Sequence, residues 1–405
     1  MIIGIPKESF PGERRVAMTP GVVPSLTGAG LDVWIEAGAG METGYWNDDF
    51  EQSGAKIVGS RREIFTSADV IVQVLALSAN PPGGLADLKL MHPRQVLIGF
   101  LRPLARNENV IKMAQAGITG FAVELMPRIA RAQPMDALSF MSSVAGYKAA
   151  LAAADALPKM FPMLMTAAGT IRPARVFVIG AGVLGLQAIA TAKRLGAVVK
   201  AYDVRPAAKQ EVESLGARFV ELPLETGEDA QAGGYAKSQD ESFYRRQQEL
   251  LTGVITDSDV VITAALVPGH KAPVLITEEM VKKMAPGSVI IDLAAERGGN
   301  CALSIPGKTE VRYGVTISAI VNIASSVPVD ASQMYAKNIS AFLLNLIKDG
   351  ELRLQMDDEI IAKTLVTHRG EVVNSRVREH LHLPPLGCEA SEIDKDNAWK
   401  AGSQV

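Results

Sequence analysis

Three glycines, Gly180, Gly182 and Gly185, fall in the spacing GxGxxG directly after an apolar run at 176–179. An apolar helical pattern at 183–195 follows, then a second apolar run at 197–202 that ends in an acid, Asp203. A strand, a tight turn, a helix and a strand tipped by a carboxylate is the pattern of a dinucleotide site. Gly180 allows the turn, Gly182 lets the backbone approach a pyrophosphate, and Gly185 lets helix and strand pack closely. The first N–H groups of the helix, from Val183 and Leu184 onward, face the phosphates. Asp203 is expected to accept hydrogen bonds from the adenosine ribose, which favours NAD over NADP, with Val204 beside it. Arg205 tempers that preference, because a guanidinium there could greet an extra phosphate. By spacing alone the glycines could be a chance cluster in a turn; the flanking elements and the acid select the dinucleotide reading.

Such a site needs groups at the nicotinamide end. Arg128 and Arg131 follow a predicted strand, and Gln133, Asp136 and Ser139 come next. An arginine, an amide, a carboxylate and a hydroxyl could fix a carboxamide ring and its ribose. Hydride transfer between two nicotinamides needs closeness and orientation but no base. The competing reading is that Asp136 only caps the helix that follows, with Ser139 beside it. The small residues Ala264 and Ala265, with Leu266, follow a strand on the cofactor side, where backbone groups could be approached. In the stretch IDLAAERGGN, Asp292 reads as structural, while Glu296, Arg297 and Asn300 could face a cleft or lie in a solvated loop. His270 reads as exposed, His92 precedes a strand with no better claim to catalysis, and Cys301 reads as a small apolar filler.

The elements that position these residues alternate between strand and helix. Strands are expected at 1–5, 32–36, 69–74, 96–100 and 119–123, with helices between them, one opened by Thr19 as cap and Pro20 at its first position. The apolar stripe of that helix is Val22, Val23, Leu26 and Ala29. Long helices are expected at 136–157 and at 328–346, the latter burying Met334, Ile339, Phe342, Leu343 and Leu346. The fold class is therefore α/β: two Rossmann-like domains with mainly parallel sheets, joined by long bridging helices around a cleft. The first domain takes 1–140 plus about 330–380 and has no glycine fingerprint. The NAD(H)-binding domain takes 141–329, with a polar, aperiodic loop at 222–239, and 381–405 is an irregular tail.

Composition agrees with a two-domain globular chain: 405 residues, 48% apolar and 21% charged. A net charge of −3 argues against nucleic acid as a partner. Five histidines and two cysteines, scattered, imply neither a metal site nor a disulfide framework. The start is not expected to be a signal peptide, and no apolar run reaches the roughly 18 residues of a membrane helix.

From Met1 to about Gly350 the chain resembles the superfamily of alanine dehydrogenase and the NAD(H)-binding component of proton-translocating NAD(P) transhydrogenase. The resemblance lies in GIPKE…RRVAMTP, VIGAGVLGLQA, ALVPGHKAP and IDLAAERGGN. Two segments favour transhydrogenase: PRIARAQPMDALS, similar to that family's PRISRAQSMD, and GGYAK at 233–237, similar to its mobile loop with Tyr235 at the tip. At the positions where alanine dehydrogenases use lysine, histidine and aspartate stand Leu75, Arg102 and Glu296, while Arg15 is kept. The chain departs from the pattern at Gln73, usually lysine, and at Phe140, usually a second serine.

The resemblance implies NAD(H) bound by this chain at Gly180, Gly182, Val183, Leu184, Gly185, Asp203, Val204, Arg205, Tyr235, Ala264, Ala265 and Leu266, with no metal. It implies Gln133, Arg128, Asp136 and Ser139 at the nicotinamide end, and NADP(H) on a partner beta subunit. It also implies a homodimer and a short membrane alpha subunit, with the chain cytoplasmic and peripheral on the bacterial inner membrane. A stand-alone amino-acid dehydrogenase and a non-catalytic nucleotide sensor are the alternatives.

Overall fold

The computed structural model describes all residues except 106, 224–230, 233–234, 237–240, 267–268, 349 and 387–405, and gives no side-chain account of 107, 231–232, 235–236 and 241. Two compact units are formed, Met1–Met141 with Val327–Val405, and Ser142–Ser326. Both are α/β, and each is built on a mostly parallel sheet.

The sheet of the first unit runs Glu371–Val372, Leu365–His368, Thr119–Ala122, Val96–Phe100, Val70–Leu75, Ile2–Ile5, Asp32–Glu36 and Lys56–Val58. All pairings are parallel except those of Leu365–His368 with its two neighbours. The core strands are buried at every position and apolar but for Gln73, the pattern of a parallel sheet covered on both faces. One face packs Ile71, Leu97, Phe65, Val110 and Met113 into a shared cluster.

The first helix departs from expectation. Thr19 makes no side-chain cap; Pro20–Val22 is a 3-10 turn and the α-helix restarts at Val23–Thr27. Pro24 is the reason: lacking an N–H, it can sit only in a first turn. The helix then ends before Ala29, which is exposed rather than part of the apolar stripe. The helix at Pro328–Leu346 has its expected bounds, with Pro328 in the first turn. Met334 is only half-buried there, because Ala331, Tyr335 and Asn338 take the inward positions. Leu365–His368 and Glu371–Val372 form a hairpin that extends the sheet at its Thr119–Ala122 edge, where Thr367 accepts from the Gly120 N–H and donates to the Ile118 carbonyl.

The sheet of the second unit runs Arg218–Phe219, Val198–Tyr202, Arg175–Ile179, Val260–Thr263, Val289–Asp292, Val315–Ser318 and Thr309–Arg312, antiparallel only at the last pair. Alternate residues serve opposite cores: Val176, Val178, Val260 and Ile262 on one face, Phe177, Ile179 and Val261 on the other. The helix Ala137–Ala156 begins in the first unit and ends in the second. Its Ala145, Ala149, Ala150 and Ala153 enter the second unit's core. Gly146 comes so close to the glycine-turn helix that a Cβ there would stand 2.1 Å from the Leu184 carbonyl oxygen. Among the described residues no helix is long and apolar enough to cross a membrane.

Candidate functional site

In the second unit the strand order reverses beside Arg175–Ile179, which pairs with Val198–Tyr202 on one side and Val260–Thr263 on the other. The carboxyl ends of strands at such a reversal leave a crevice. Gly180 stands there with φ +96°, and a Cβ on it would meet the Ala264 backbone at 2.9 Å. Gly185 opens room for the turn itself, since a Cβ would lie 1.8 Å from the Gly180 carbonyl oxygen. Gly182 differs from both: its φ is −75° and nothing among the described residues lies within 4 Å of where its Cβ would be. Packing among the described residues does not call for a glycine at 182. The open position, directly before the helix Val183–Arg194, fits a pyrophosphate lying against the backbone.

Asp203 lies at the end of the neighbouring strand. Its carboxylate accepts from the Ala181 N–H at 2.8 Å, the Arg205 N–H at 2.8 Å, and Arg205 Nε and Nη2 at 2.9 and 3.0 Å. Arg205 also donates to the Ala181 carbonyl at 3.2 Å. The acid and the arginine, set against each other in the sequence as signals for two different nucleotides, here form one forked ion pair that ties the glycine turn to the next strand. Beside it, Val204 is half-buried.

The other wall is held by Asn300. It is fully buried, accepts from the Ala265 N–H at 3.1 Å, and donates to the Ala265 and Pro273 carbonyls at 3.0 and 2.8 Å. Asn300 therefore faces no cleft; it fixes the Ala264–Leu266 backbone. Asp292 is the hub beneath it, accepting from Thr263 and Ser304 hydroxyls and from the N–H groups of Ala294, Asn300 and Cys301. Five donors explain how a carboxyl group with no ion-pair partner among the described residues sits in the core. Glu296, Arg297 and His270 are exposed. Cys301 is buried, and burial pushes its thiol up to about 11, an inert filler. Of the 222–239 loop, Gln231–Ala232 and Tyr235–Ala236 pair as antiparallel strands. The Tyr235 side chain and 224–230, 233–234 and 237–240 lie outside the described residues.

In the first unit the segment after Thr119–Ala122 carries the other candidates. Ala130–Met135 is a 3-10 stretch, with Gln133 and Arg128 exposed and Ala132 and Met135 buried. Asp136 caps the helix Ala137–Ala156: its Oδ1 accepts from the Ser139 N–H at 3.0 Å and its Oδ2 from the Ser139 hydroxyl at 2.5 Å. The capping role considered for this pair is thus present, and it holds Ser139, which is half-buried. Two residues that sequence reasoning missed bind this segment, Asn338 and Asp358.

A mostly parallel sheet with an open glycine turn at its reversal point defines the second unit as a Rossmann-type nucleotide-binding unit. Residues 4–145 match the N-terminal domain of the alanine dehydrogenase/PNT family and residues 149–375 its C-terminal domain, and the chain belongs to that family. It is 48% identical over 377 residues to the first part of the split NAD(P) transhydrogenase subunit alpha of Rhodospirillum rubrum, covering 92% of this chain and 98% of the relative. It is 31% identical to alanine dehydrogenase of Mycobacterium tuberculosis, covering 95% of this chain and 98% of that one. The solved structure of transhydrogenase from Sinorhizobium meliloti superposes with a TM-score of 0.79 at 41% identity, covering 93% of this chain and all of that one.

Proposed function

We propose that this chain is the NAD(H)-binding component of a proton-translocating NAD(P) transhydrogenase, an oxidoreductase active with partner subunits. What carries the reading is the similarity that spans nearly the whole of a relative bearing that subunit's name. The open position at Gly182 supports nucleotide binding independently of any relative. NADH, when bound, supplies hydride from C4 of its ring to C4 of NADP+ on the beta subunit, leaving NAD+ and NADPH. Gly180, Gly182 and Gly185 admit the pyrophosphate, with N–H groups of Val183 and Leu184 directed to it. Asp203 and Arg205 meet the adenosine ribose, Asp203 by exchanging part of its fork for the hydroxyls. Gln133 and Arg128 orient the nicotinamide end. Asp136 holds Ser139 for the neighbouring ribose, and Tyr235 closes over the nucleotide. A homodimer of this chain, docked on the beta subunit and a short membrane subunit at the cytoplasmic face of the inner membrane, completes the assembly.

The family's amino-acid dehydrogenase chemistry finds less support. At the two positions assigned to its lysine and histidine, Leu75 is buried and apolar, and Arg102 carries a guanidinium where an imidazole would be needed. The test is the rate of NADH oxidation by the full chain, alone and after assembly with its beta and membrane subunits charged with NADP+. A rate that appears only in the assembly is expected. NADH oxidation by the chain alone with pyruvate and ammonia would overturn the proposal.

A further inference from the structure

The segment that presents Gln133 does little to hold itself. Ala130–Met135 is six residues of 3-10 helix, a geometry with poor hydrogen bonds that seldom persists beyond three or four residues. Pro134 inside it contributes no N–H. Its stiffness comes instead from residues more than two hundred positions away in the chain. Arg131 donates Nη1 and Nη2 to the two oxygens of Asp358, at 2.9 and 2.5 Å. Asp358 is itself immobilised, because its Oδ1 also accepts the Ile360 N–H at 2.9 Å as the cap of the helix Glu359–Thr364. The Arg131 guanidinium holds the Asp358 carboxyl below the usual carboxylate range, so the fork is ionised at neutral pH.

The second tie comes from the helix Pro328–Leu346. Asn338, 2% exposed, donates Nδ2 to the Pro134 carbonyl at 2.6 Å. A carbonyl can only accept, so the amide orientation is fixed by its partner. The Asn338 Oδ1 has no hydrogen-bond partner among the described residues. Leaving a buried oxygen unsatisfied is a cost that the Pro134 contact must offset. The two ties grip the chain at residues 131 and 134 and so bracket Gln133.

We propose that Asp358, together with Asn338, is a positioning residue for hydride transfer: by clamping Arg131 and Pro134 it presents the Gln133 amide in one orientation. The inference rests on the assignment of Gln133 to the nicotinamide end. Asp358 touches no reacting atom; it acts through Arg131. Pre-setting an exposed loop removes an ordering cost that each turnover would otherwise bear.

Asp358→Asn is the discriminating variant, because asparagine caps a helix as well as aspartate while the charged fork is lost. Arg131→Gln removes the same fork from the other side at an exposed position. In the full chain without nucleotide, hydrogen exchange across 128–136 is expected to quicken about tenfold in both, the worth of a hydrogen bond to a charged group, and to stay unchanged in the helix Val183–Arg194. In the assembled enzyme with saturating NADH, the hydride-transfer rate is expected to fall about tenfold while the KM for NADH moves less than about twofold, the pattern of an interaction felt in the transition state. Arg131→Lys should recover part of the rate, and the double variant should be no slower than either single one. Gln133→Ala is measured alongside. If it cripples transfer while Asp358→Asn and Arg131→Gln leave the rate at wild type, the positioning role is overturned and the functional reading stands. Faster exchange without a slower rate overturns it equally, since the clamp is then only structural. A wild-type rate in Gln133→Ala overturns the assignment of the loop, and the clamp's role with it.

Discussion

The two sheets share a topology and use it in opposite ways. In both, the strand order reverses beside one strand, between Arg175–Ile179 and Val260–Thr263 in the second unit and between Ile2–Ile5 and Val70–Leu75 in the first. In the second unit the chain leaves this strand through Gly180 and Gly182, and the place beside Gly182 stays open. In the first it leaves through Pro6, Lys7 and Glu8, and the carboxyl group of Glu8 turns back to accept from the Val74 and Leu75 N–H groups at 2.6 and 3.2 Å. Those N–H groups lie where the Val70–Leu75 pairing with Val96–Phe100 slips between Val72 and Leu75. A bulge at a strand's carboxyl end frees donors. Close to Glu8 lies a second acid, Glu13, in a buried fork with Arg15, whose Nε and Nη2 reach its two oxygens at 2.7 and 2.6 Å. Parallel topology thus supplies a place where backbone donors converge, and the residues after the strand decide whether it is left open or taken by the chain's own carboxyl group.

The comparison is broken most severely at Arg15. Its side chain is 3% exposed and that of Glu13 is 0%, so Arg15→Leu takes the guanidinium from a buried carboxylate and should lower stability by about 3–5 kcal/mol. Removing both charges together, as Glu13→Gln with Arg15→Leu, should restore most of that loss. Urea unfolding followed by a probe in the first unit checks it; a double variant as unstable as the single one would mean that the fork supports more than itself.

Gly182→Ala sharpens the other side. With φ at −75° and no atom of the described residues within 4 Å, the methyl group is accommodated and stability should change by less than about 0.5 kcal/mol. NADH affinity should fall at least about tenfold, about 1.4 kcal/mol, because the methyl occupies the space assigned to the pyrophosphate. Titration of NADH fluorescence decides this, and an unchanged affinity would remove the glycine turn from the proposed site.

How far the sequence foretells these arrangements depends on the range of the forces involved. The helix Pro328–Leu346 is legible to the residue, because Pro328 marks its first turn and the apolar spacing is local. The glycine turn is legible for the same reason. Thr19 misleads because Pro24, four residues after Pro20, resets the helix. The Leu365–His368 hairpin is hidden because its partner strand lies some 250 residues away. Asp203 and Arg205 are both visible as charges after the second strand of the glycine-turn unit, yet only the fold shows that they satisfy each other. The Asn338 and Asp358 ties carry no sequence signal, being single polar residues that meet their partners across the chain.

The smallest expected effect tests whether the first crevice is filled by a charge or by a neutral acid. Burial, and the nearby Glu13, push the Glu8 carboxyl up to about 8 against the pull of the Val74 and Leu75 N–H groups and of Arg15. The folded chain then holds this proton more tightly than the unfolded one, whose glutamate titrates near 4.5. The stabilisation is complete below the unfolded value, declines as pH rises, and is gone above about 8. Glu8→Gln cannot ionise and keeps one acceptor for the bulge donors, so it should escape this loss. From pH 7 to pH 8 wild type should lose about 1 kcal/mol by this linkage, so the melting temperature of the variant should rise relative to wild type by about 2–4 °C. A difference that stays constant over that range would mean that Glu8 is ionised throughout. The bulge would then be an anion cradle already occupied by an anion, and the two crevices would differ in the source of the charge rather than in its presence.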